Sequence, residues 1–208
     1  MRILIILGGP SPQAERLQFH AAKADQVIAA DGGAMACLNA RITPDLIIGD
    51  LDSVNTDTIP ESWHVERDKS QETTDFEKAL GAISSSSKAI SQLIILGGLG
   101  GRVDHELTNL HIAARLDPAW NIELEGADAR IVRVVTRISL DLPVNATLSL
   151  VPWPQAFVRK TSGLQWNLTN TRLSPTSQLG QSNRVSQPPV TIELNDGMLY
   201  AIHILNEI

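Results

Sequence analysis

Acidic residues are concentrated in four short segments of the first half of the chain, and each segment follows an apolar run that predicts a β-strand. The segments are Asp31-Gly32-Gly33-Ala34, Gly49-Asp50-Leu51-Asp52-Ser53, Gln71-Glu72-Thr73-Thr74-Asp75 and Gly97-Gly98-Leu99-Gly100-Gly101-Arg102-Val103-Asp104. Ligands of open α/β sheets bind outside the carboxyl ends of the strands, so we expect these segments to meet at one edge of a sheet. Carboxylate oxygens suit Mg²⁺, which also binds substrate phosphates. The pattern therefore predicts a magnesium and phosphate site.

Asp50 and Asp52 are the closest pair of these acids. They lie two apart on a segment predicted to be extended, so their side chains are expected to point the same way, and the two carboxylates repel unless a cation or a proton lies between them. The alternative is that the acids are surface turn residues, with Asp75 and Asp104 serving only as helix N-terminal caps.

The glycines at 97–101 lie between a predicted strand and a predicted helix. Backbone N–H groups at such a turn, together with the helix dipole, can bind phosphate. The segment matches neither G-x-G-x-x-G nor G-x-x-x-x-G-K-[ST], so neither of those nucleotide-binding motifs is indicated. Arg102 favours phosphate binding over a simple glycine turn, because a guanidinium pairs bidentately with phosphate.

Alternating strand and helix patterns in the first half predict βα units around a parallel sheet. The predicted strands are Ile3–Leu7, Gln26–Ala30, Leu46–Ile48, Trp63–Glu66 and Gln92–Leu96. The predicted helices are Pro12–Ala22, Ala34–Asn39, Asp75–Ile83 and Asp104–Leu116. Thr74 and Glu77 form a capping-box signature at the start of the third helix. The serines at 84–87 predict a polar loop.

After Asp117-Pro118 the helical periodicity disappears and β-type runs dominate. These runs are Ile122–Glu125, Ala129–Val135, Ala146–Pro152, Phe157–Lys160, Val190–Leu194 and Met198–Leu205. Asn195-Asp196-Gly197 predicts a hairpin turn, and the polar stretch Gln165–Gln187 predicts loops. We therefore expect an α/β domain over residues 1–122 and an antiparallel β-sandwich over residues 123–208.

Composition and charge argue against membrane, secreted and nucleic-acid-binding classes of protein. Among the 208 residues, 43% are hydrophobic and 19% are charged, as in ordinary globular proteins. No apolar run approaches the roughly 20 residues of a membrane span, and MRILIILGGP predicts a first strand and turn rather than a signal peptide. The net charge of −6 and the absence of a Lys/Arg cluster argue against nucleic-acid binding. A single cysteine, Cys37, fits a reducing compartment and a cytoplasmic protein.

Six segments together resemble the thiamine pyrophosphokinase family. They are ADGGA (30–34), PDLIIGDLDS (44–53), QETTDFEKAL (71–80), GGLGGRVDHELTNL (97–110), GLQWNL (163–168) and GQSN (180–183). They occur in both halves and in the order of the family, so the resemblance covers nearly the whole chain.

The resemblance implies an α/β catalytic domain, a β-sandwich and a homodimer with its sites at the interface. It implies transfer of diphosphate from ATP to thiamine with Mg²⁺, giving thiamine diphosphate and AMP. By motif, Asp31, Asp50, Asp52 and Asp75 would form the catalytic site, with Asp50, Asp52 and Asp75 as metal ligands. Gln71, Thr74, Arg102, Asp104 and Asn109 would bind the nucleotide, and Trp166, Ser182 and Asn183 would bind thiamine. No role follows for Lys69 or His105.

Three other interpretations remain open from the sequence. Asp50 to Val54 also fits D-x-D-x-[TV] of haloacid-dehalogenase-type phosphatases, but the later acid pair of that family is absent. A diphosphokinase acting on a hydroxymethylpterin would share the acidic motifs, and only Gly163–Trp166 and Ser182-Asn183 favour thiamine. A non-catalytic sensor of nucleotide or thiamine would not need the complete acidic set. Trp166 itself would otherwise be interpreted as an ordinary core residue of a β-domain.

Overall fold

The computed structural model describes residues 1–52, 54, 56–83 and 89–205. It consists of two compact units, Met1–Ala127 and Asp128–Ile208. The boundary lies a few residues after the predicted one between 122 and 123. Ser53 and the predicted polar loop at 84–87 lie outside the described residues.

The described residues of the first unit form six parallel strands, in the order β6-β5-β1-β2-β3-β4. The strands are β1 (Arg2–Ile6), β2 (Gln26–Ala30), β3 (Leu46–Gly49), β4 (Val65–Arg67), β5 (Gln92–Leu96) and β6 (Asn121–Glu125). The central strands form because short apolar runs fill both faces of the sheet: the neighbouring residues Ile5 and Ile6 of β1, and Ile94 and Ile95 of β5, are all fully buried.

In the described part of the unit, four helices connect these strands, together with a short 3₁₀ turn at Thr56–Thr58. They are α1 (Ala14–Ala21), α2 (Gly33–Asn39), α3 (Asp75–Gly81) and α4 (Val103–Arg115). The predicted capping box is present at α3. Thr74 Oγ1 accepts the Glu77 backbone N–H at 3.2 Å, and Glu77 Oε2 accepts the Thr74 N–H at 3.0 Å. None of the described helices is long and apolar enough to cross a bilayer.

The strand order changes direction at β1. The chain runs outward from β1 through β2 and β3 to β4, and then returns to the other side of β1 to form β5 and β6. Such a switch opens a crevice at the carboxyl ends of the two strands that flank it. Strand β6 was predicted to belong to the β-rich second half. That assignment is wrong, because β6 pairs in parallel with β5.

The second unit is entirely antiparallel in its strand ladders. Its strands are β7 (Ala129–Val134), β8 (Arg137–Leu140), β9 (Thr147–Ser162), β10 (Thr169–Leu173), β11 (Gly180–Arg184) and β12 (Val190–Ile204). The long strands β9 and β12 pair along most of their length. One half of β12 pairs with β7 and the other half with β8, while β9 divides in the same way between β11 and β10. Two layers result, and the predicted α/β unit followed by a β-sandwich is confirmed.

Two predictions for this unit are wrong. Asn195-Asp196-Gly197 is not a hairpin turn, because β12 continues through it with register irregularities on both sides. Gly197 has φ +77°, and a Cβ there would lie 2.2 Å from the Gln155 carbonyl oxygen. The glycine therefore marks a bulge where the strand bends. A glycine at a bulge gives the same sequence signal as a glycine in a turn. The stretch Gln165–Gln187 is not all loop, since it contains β10 and β11.

Candidate active site

A cavity of about 690 Å³ lies in the first unit and collects most of the predicted nucleotide and metal residues. Its lining includes Asp31, Asp50, Gln71, Thr74, Asp75, Arg102, Asp104 and Asn109. We call it the acidic cavity, after three of its carboxylates, Asp31, Asp50 and Asp75. Asp52 does not line it and is exposed. The switch in strand order has brought these separate segments together, as expected for carboxyl ends of parallel strands.

The segment from Asp50 to Asp52 is not extended, so the prediction that both carboxylates point the same way is wrong. Leu51 has φ 60°, in the left-handed region, and its side chain is buried. This turn directs the Asp52 backbone N–H to Asp50, where it donates to Oδ1 at 3.1 Å. The burial of Leu51 favours the turn over the extended form that alternation assumes.

Close backbone packing brings Asp31 to the cavity. Gly49, at the end of β3, has φ +151°, and a Cβ on it would lie 3.2 Å from the Asp31 Cα. The Asp31 backbone N–H donates to the Ile48 carbonyl at 2.9 Å. A larger residue than glycine at 49 would therefore push Asp31 away from its position.

The cavity carboxylates differ in how well the protein stabilises their charge. The Asp52 backbone N–H and then the Gln71 amide, which donates to Oδ2 at 3.3 Å, hold the pKa of the Asp50 carboxyl below its usual range. Burial raises the pKa of Asp75, and the nearby charges of Asp31 and Asp50 raise it further. A group of carboxylates that the protein leaves incompletely neutralised is what a divalent cation site requires.

The glycine segment after β5 forms another wall. Gly97, Gly98, Gly100 and Gly101 line the cavity, and a Cβ at Gly97 would lie 2.4 Å from the Leu7 carbonyl oxygen. Glu106 Oε2 accepts the Gly100 backbone N–H at 2.9 Å, and Asn109 donates to the Gly98 carbonyl at 2.9 Å. Carboxylate and amide side chains of α4 thus hold the loop in place.

Arg102 and Asp104 form an exposed pair at the start of α4. Two hydrogen bonds join them: Nε to Oδ1 at 3.2 Å and Nη2 to Oδ2 at 2.6 Å. These bonds lower the pKa of Asp104 to about 2. Arg102 and the Gly100 N–H are two donors that would suit a phosphate, and both bind carboxylates here, so a phosphate that binds them would replace these partners.

A second group of charged residues lies in the first unit outside the cavity. We call Arg16, His20, Glu123 and Glu125 the α1–β6 cluster, after the elements that carry them. The potential ligand atoms of His20, Glu123 and Glu125 lie within 4.8 Å of one another. Arg16 already pairs with Glu125 through two hydrogen bonds, at 2.7 and 2.6 Å, and His20 Nε2 lies 3.3 Å from Glu125 Oε2. A metal would have to displace Arg16, so this cluster has the features of an internal ion pair.

Comparison with known proteins identifies the family. The family described as "Thiamin pyrophosphokinase, catalytic domain" matches residues 18–124, and "Thiamin pyrophosphokinase, vitamin B1 binding domain" matches residues 135–199. Thiamine pyrophosphokinase 2 of Arabidopsis thaliana is 31% identical over 180 residues, which cover 79% of this chain and 67% of the relative. The chain belongs to the thiamin pyrophosphokinase family.

Other members of the thiamin pyrophosphokinase family agree with this assignment. Thiamine pyrophosphokinase 1 of Arabidopsis thaliana is 28% identical, over 97% of this chain and 85% of the relative. The solved thiamine pyrophosphokinase of Bacillus subtilis has a TM-score of 0.83 at 22% identity, with both chains fully covered, and so shares the fold. The match in both units argues against the haloacid-dehalogenase interpretation of Asp50 to Val54.

The residues predicted to bind thiamine, Trp166, Ser182 and Asn183, all lie in the part of this chain that matches the vitamin B1 binding domain. The structure brings Trp166 and Asn183 into contact. Asn183 accepts the Trp166 backbone N–H at 3.2 Å and donates to the Trp166 carbonyl at 2.7 Å. Asn183 is 5% exposed, whereas Trp166 is 56% exposed. The buried amide therefore holds the backbone beneath an accessible indole.

Ser182 lies beside this pair in the sequence and has φ 57°. Its backbone N–H donates to Ser149 Oγ at 2.9 Å, which fixes the strained residue in the ladder region between β11 and β9. The Ser182 residue itself is exposed. Of the predicted thiamine residues, Trp166 and Ser182 are therefore accessible to a ligand, and Asn183 serves to position Trp166.

Several residues that line the acidic cavity were not predicted to do so from the sequence. They are Gly8, Gly9, Pro10, Ser70, Thr73, Lys78, His105 and Thr108. Gly8-Gly9 carried the same strand-then-glycine signal as the other segments, and the Gly9 N–H donates to the Gly97 carbonyl at 3.0 Å. Lys78 carried a weaker signal, its position three residues after Asp75 on the same helix face. The position of His105 beside Asp104 indicated a possible contact with phosphate, but a histidine at a helix start is commonly solvated.

Proposed function

We propose that this chain transfers the diphosphate group of ATP to the hydroxyl of thiamine, giving thiamine diphosphate and AMP in a Mg²⁺-dependent reaction. The observation that carries the proposal is the acidic cavity, in which Asp31, Asp50 and Asp75 line the same space as the glycine segment and Arg102. A polyphosphate needs cationic and N–H donors, and the metal that accompanies it needs carboxylates.

The residues of the cavity fit Mg²⁺, because Asp50 and Asp75 supply hard oxygen ligands. We propose Asp50, Asp52 and Asp75 as its ligands, with Asp31 completing the catalytic set. When bound, the metal neutralises phosphate charge and orients the phosphate oxygens. For Asp52 to bind the same metal, its side chain would have to move from its exposed position into the cavity. A change in the backbone conformation at Leu51, which has φ 60°, would allow this movement.

The rest of the reaction depends on positioning. The thiamine hydroxyl oxygen forms a bond to the β-phosphorus of ATP. The bond between that phosphorus and the oxygen that bridges it to the α-phosphorus breaks, and AMP leaves with this oxygen. The hydroxyl proton passes to a carboxylate of the cavity. Phosphoryl-transfer reactions of this kind need little covalent help, so alignment of the two substrates supplies much of the rate.

We propose distinct roles for the nucleotide-binding residues. Arg102 would exchange Asp104 for phosphate oxygens, and the Gly100 N–H would exchange Glu106 in the same way. Asn109 would keep the glycine segment in place through the Gly98 carbonyl. Gln71 would fix Asp50, and Thr74 would support Asp75 by capping α3.

Thiamine recognition would depend on Trp166. An exposed indole attracts the thiazolium cation through its ring quadrupole, an interaction of about 0.5–2 kcal/mol. Ser182 would contribute a hydroxyl, and Asn183 would hold the Trp166 backbone. We also propose, from the family resemblance, a cytoplasmic homodimer with its sites at the subunit interface; light scattering of the purified chain tests the dimer.

The experiment is a coupled assay of AMP release from ATP and Mg²⁺ with thiamine, with a hydroxymethylpterin, and with neither. We expect AMP only with thiamine, and thiamine diphosphate by mass spectrometry in equal amount. AMP release with the pterin alone would retain the mechanism and change the substrate. Binding of thiamine without any AMP would contradict the proposal and favour a sensor.

A further inference from the structure

Lys78 is a buried cation in the acidic cavity. It lies on α3 three residues after Asp75, so both side chains leave the same face of the helix. The Lys78 side chain is 3% exposed, and its Nζ is 3.8 Å from Asp75 Oδ1. Lys78 nonetheless belongs to the lining of the cavity.

A buried ammonium needs compensation. Lysine is almost never fully buried unless it is paired, because removing its charge from water is unfavourable. The contact with Asp75 is too long for a hydrogen bond, and an ammonium has three N–H donors. Within the described residues, the ion pair with Asp75 is the only such contact of Lys78 that is found.

The charge of Lys78 acts on more than one carboxylate. Its positive charge favours the ionised forms of both Asp50 and Asp75. The pKa of Asp50 is lowered first by the Asp52 backbone N–H and also by Lys78, whereas at Asp75 the charge of Lys78 only opposes the rise in pKa that burial and Asp31 cause. Arg102, the other cationic side chain of the lining among described residues that is permanently charged, is exposed and bound to Asp104. Lys78 is therefore the buried cation of the described lining, and it offsets only part of the charge of the carboxylates inside the cavity.

We propose that Lys78 is the resident cation of the acidic cavity: it holds the carboxylates in place before the metal binds, and then donates to a phosphate oxygen of the nucleotide. This inference depends on the proposed function for the identity of the nucleotide. Two consequences with opposite signs follow. The Lys78 charge opposes a divalent cation at Asp75, and the same charge favours a polyanion.

The test compares Lys78→Met with wild type in two binding measurements. Mn²⁺ alone is titrated into nucleotide-free protein and followed by electron paramagnetic resonance. Calorimetry then measures, at saturating Mg²⁺, the affinity for an ATP analogue with a methylene bridge between the α- and β-phosphorus. Because this bridge resists cleavage, no turnover disturbs the second measurement.

We expect Lys78→Met to bind Mn²⁺ about tenfold more tightly, because the repulsion from a positive charge near Asp75 is removed. We expect it to bind the nucleotide analogue about 10–100-fold more weakly, because a charged hydrogen bond to phosphate is lost. A lysine that only supports the shape of the cavity would weaken both. Weaker Mn²⁺ binding, or unchanged binding of the analogue, would overturn the proposal.

Two further variants serve as controls. Lys78→Arg retains the charge and is expected to keep the Mn²⁺ affinity within about threefold of wild type. Lys160→Met removes the same charge from an exposed position in the second unit and is expected to change neither affinity. Should Lys78→Met fail to fold, Lys78→Gln takes its place with the same two expectations.

These measurements separate the inference from the proposed function. They use Mn²⁺ and a nucleotide analogue without thiamine, so an inactive enzyme in the thiamine assay leaves them interpretable. If wild type makes thiamine diphosphate while Lys78→Met binds both probes normally, only the role of Lys78 is wrong.

Discussion

Two groups of carboxylates in the first unit differ in how far the protein's own side chains neutralise their charge. In the α1–β6 cluster, burial alone would raise the pKa of Glu125, but hydrogen bonds from Arg16 and His20 outweigh it and lower the pKa to about 2. In the acidic cavity, burial and the neighbouring acids raise the pKa of Asp75 despite Lys78. One group is neutralised by its own side chains, and the other is left for a ligand to neutralise.

The comparison shows how to distinguish a structural acid from a functional one. Proximity of acids is not the criterion, because His20, Glu123 and Glu125 also bring potential ligand atoms within 4.8 Å of one another. The criterion is whether cations of the protein already satisfy the carboxylate oxygens. Glu125 has a bidentate guanidinium, whereas Asp75 has an ammonium at 3.8 Å in a cavity large enough for a nucleotide phosphate chain.

Replacing the functional acid should produce the largest effect. We expect Asp75→Asn to reduce the rate of thiamine diphosphate formation by about 10²–10³-fold, since an electrostatic contact made at the transferring group is lost. The folded state raises the pKa of Asp75, so its ionised form destabilises the metal-free protein at neutral pH. The melting temperature of the metal-free variant should therefore be equal or higher. A lower melting temperature together with retained turnover would show that Asp75, like Glu125, is a structural acid.

The same amide substitution at the structural acid should have the opposite pattern. Glu125 is 2% exposed at its side chain, and we expect Glu125→Gln to lower the free energy of unfolding by about 3 kcal/mol. Turnover per folded molecule should stay within about threefold of wild type. Urea denaturation and the AMP assay measure the two quantities, and loss of turnover in a fully folded variant would assign the cluster a catalytic role.

The pH dependence sharpens this contrast. Because the folded pKa of Glu125 is lowered to about 2 from an ordinary 4.5, its stabilising contribution is fully present above pH 4.5 and is lost as the pH falls toward 2. The stability difference between wild type and Glu125→Gln should shrink over that range. The stability difference at Asp75 has the opposite sign. Because the folded pKa of Asp75 is raised, Asp75→Asn should be at least as stable as wild type at neutral pH. This difference should shrink as the pH falls from the folded pKa of Asp75 to its ordinary value.

The smallest effect is expected in the second unit, where the same distinction applies to aromatic residues. Trp166 is 56% exposed, whereas Tyr200 is 1% exposed and packs edge-on against Trp153. Trp166→Ala should weaken thiamine binding by about 0.5–2 kcal/mol and leave nucleotide affinity and the melting temperature unchanged. Equal losses of thiamine and nucleotide binding would show that Trp166 supports the fold rather than the ligand.

The amino-acid sequence alone determined the elements that depend on local pattern. Short apolar runs predicted the strands of the first unit to within a few residues, and the Thr74 and Glu77 pair predicted the start of α3. The acids and glycines that follow β2, β3 and β5 predicted the edge where the cavity lies. These features depend on residues close together in the chain, where periodicity and capping rules apply directly.

Only the tertiary structure decided the features that depend on distant pairing. The return of the chain to β1 places Gly9 next to Gly97 and closes the cavity wall, and the packing of α1 on β6 joins Arg16 to Glu125. The bends of β9 and β12 convert a hairpin signal at Asn195 to Gly197 into a bulge. Burial determines the role of a charged side chain, and burial at Lys78 or Glu125 is set by partners that a local pattern does not specify.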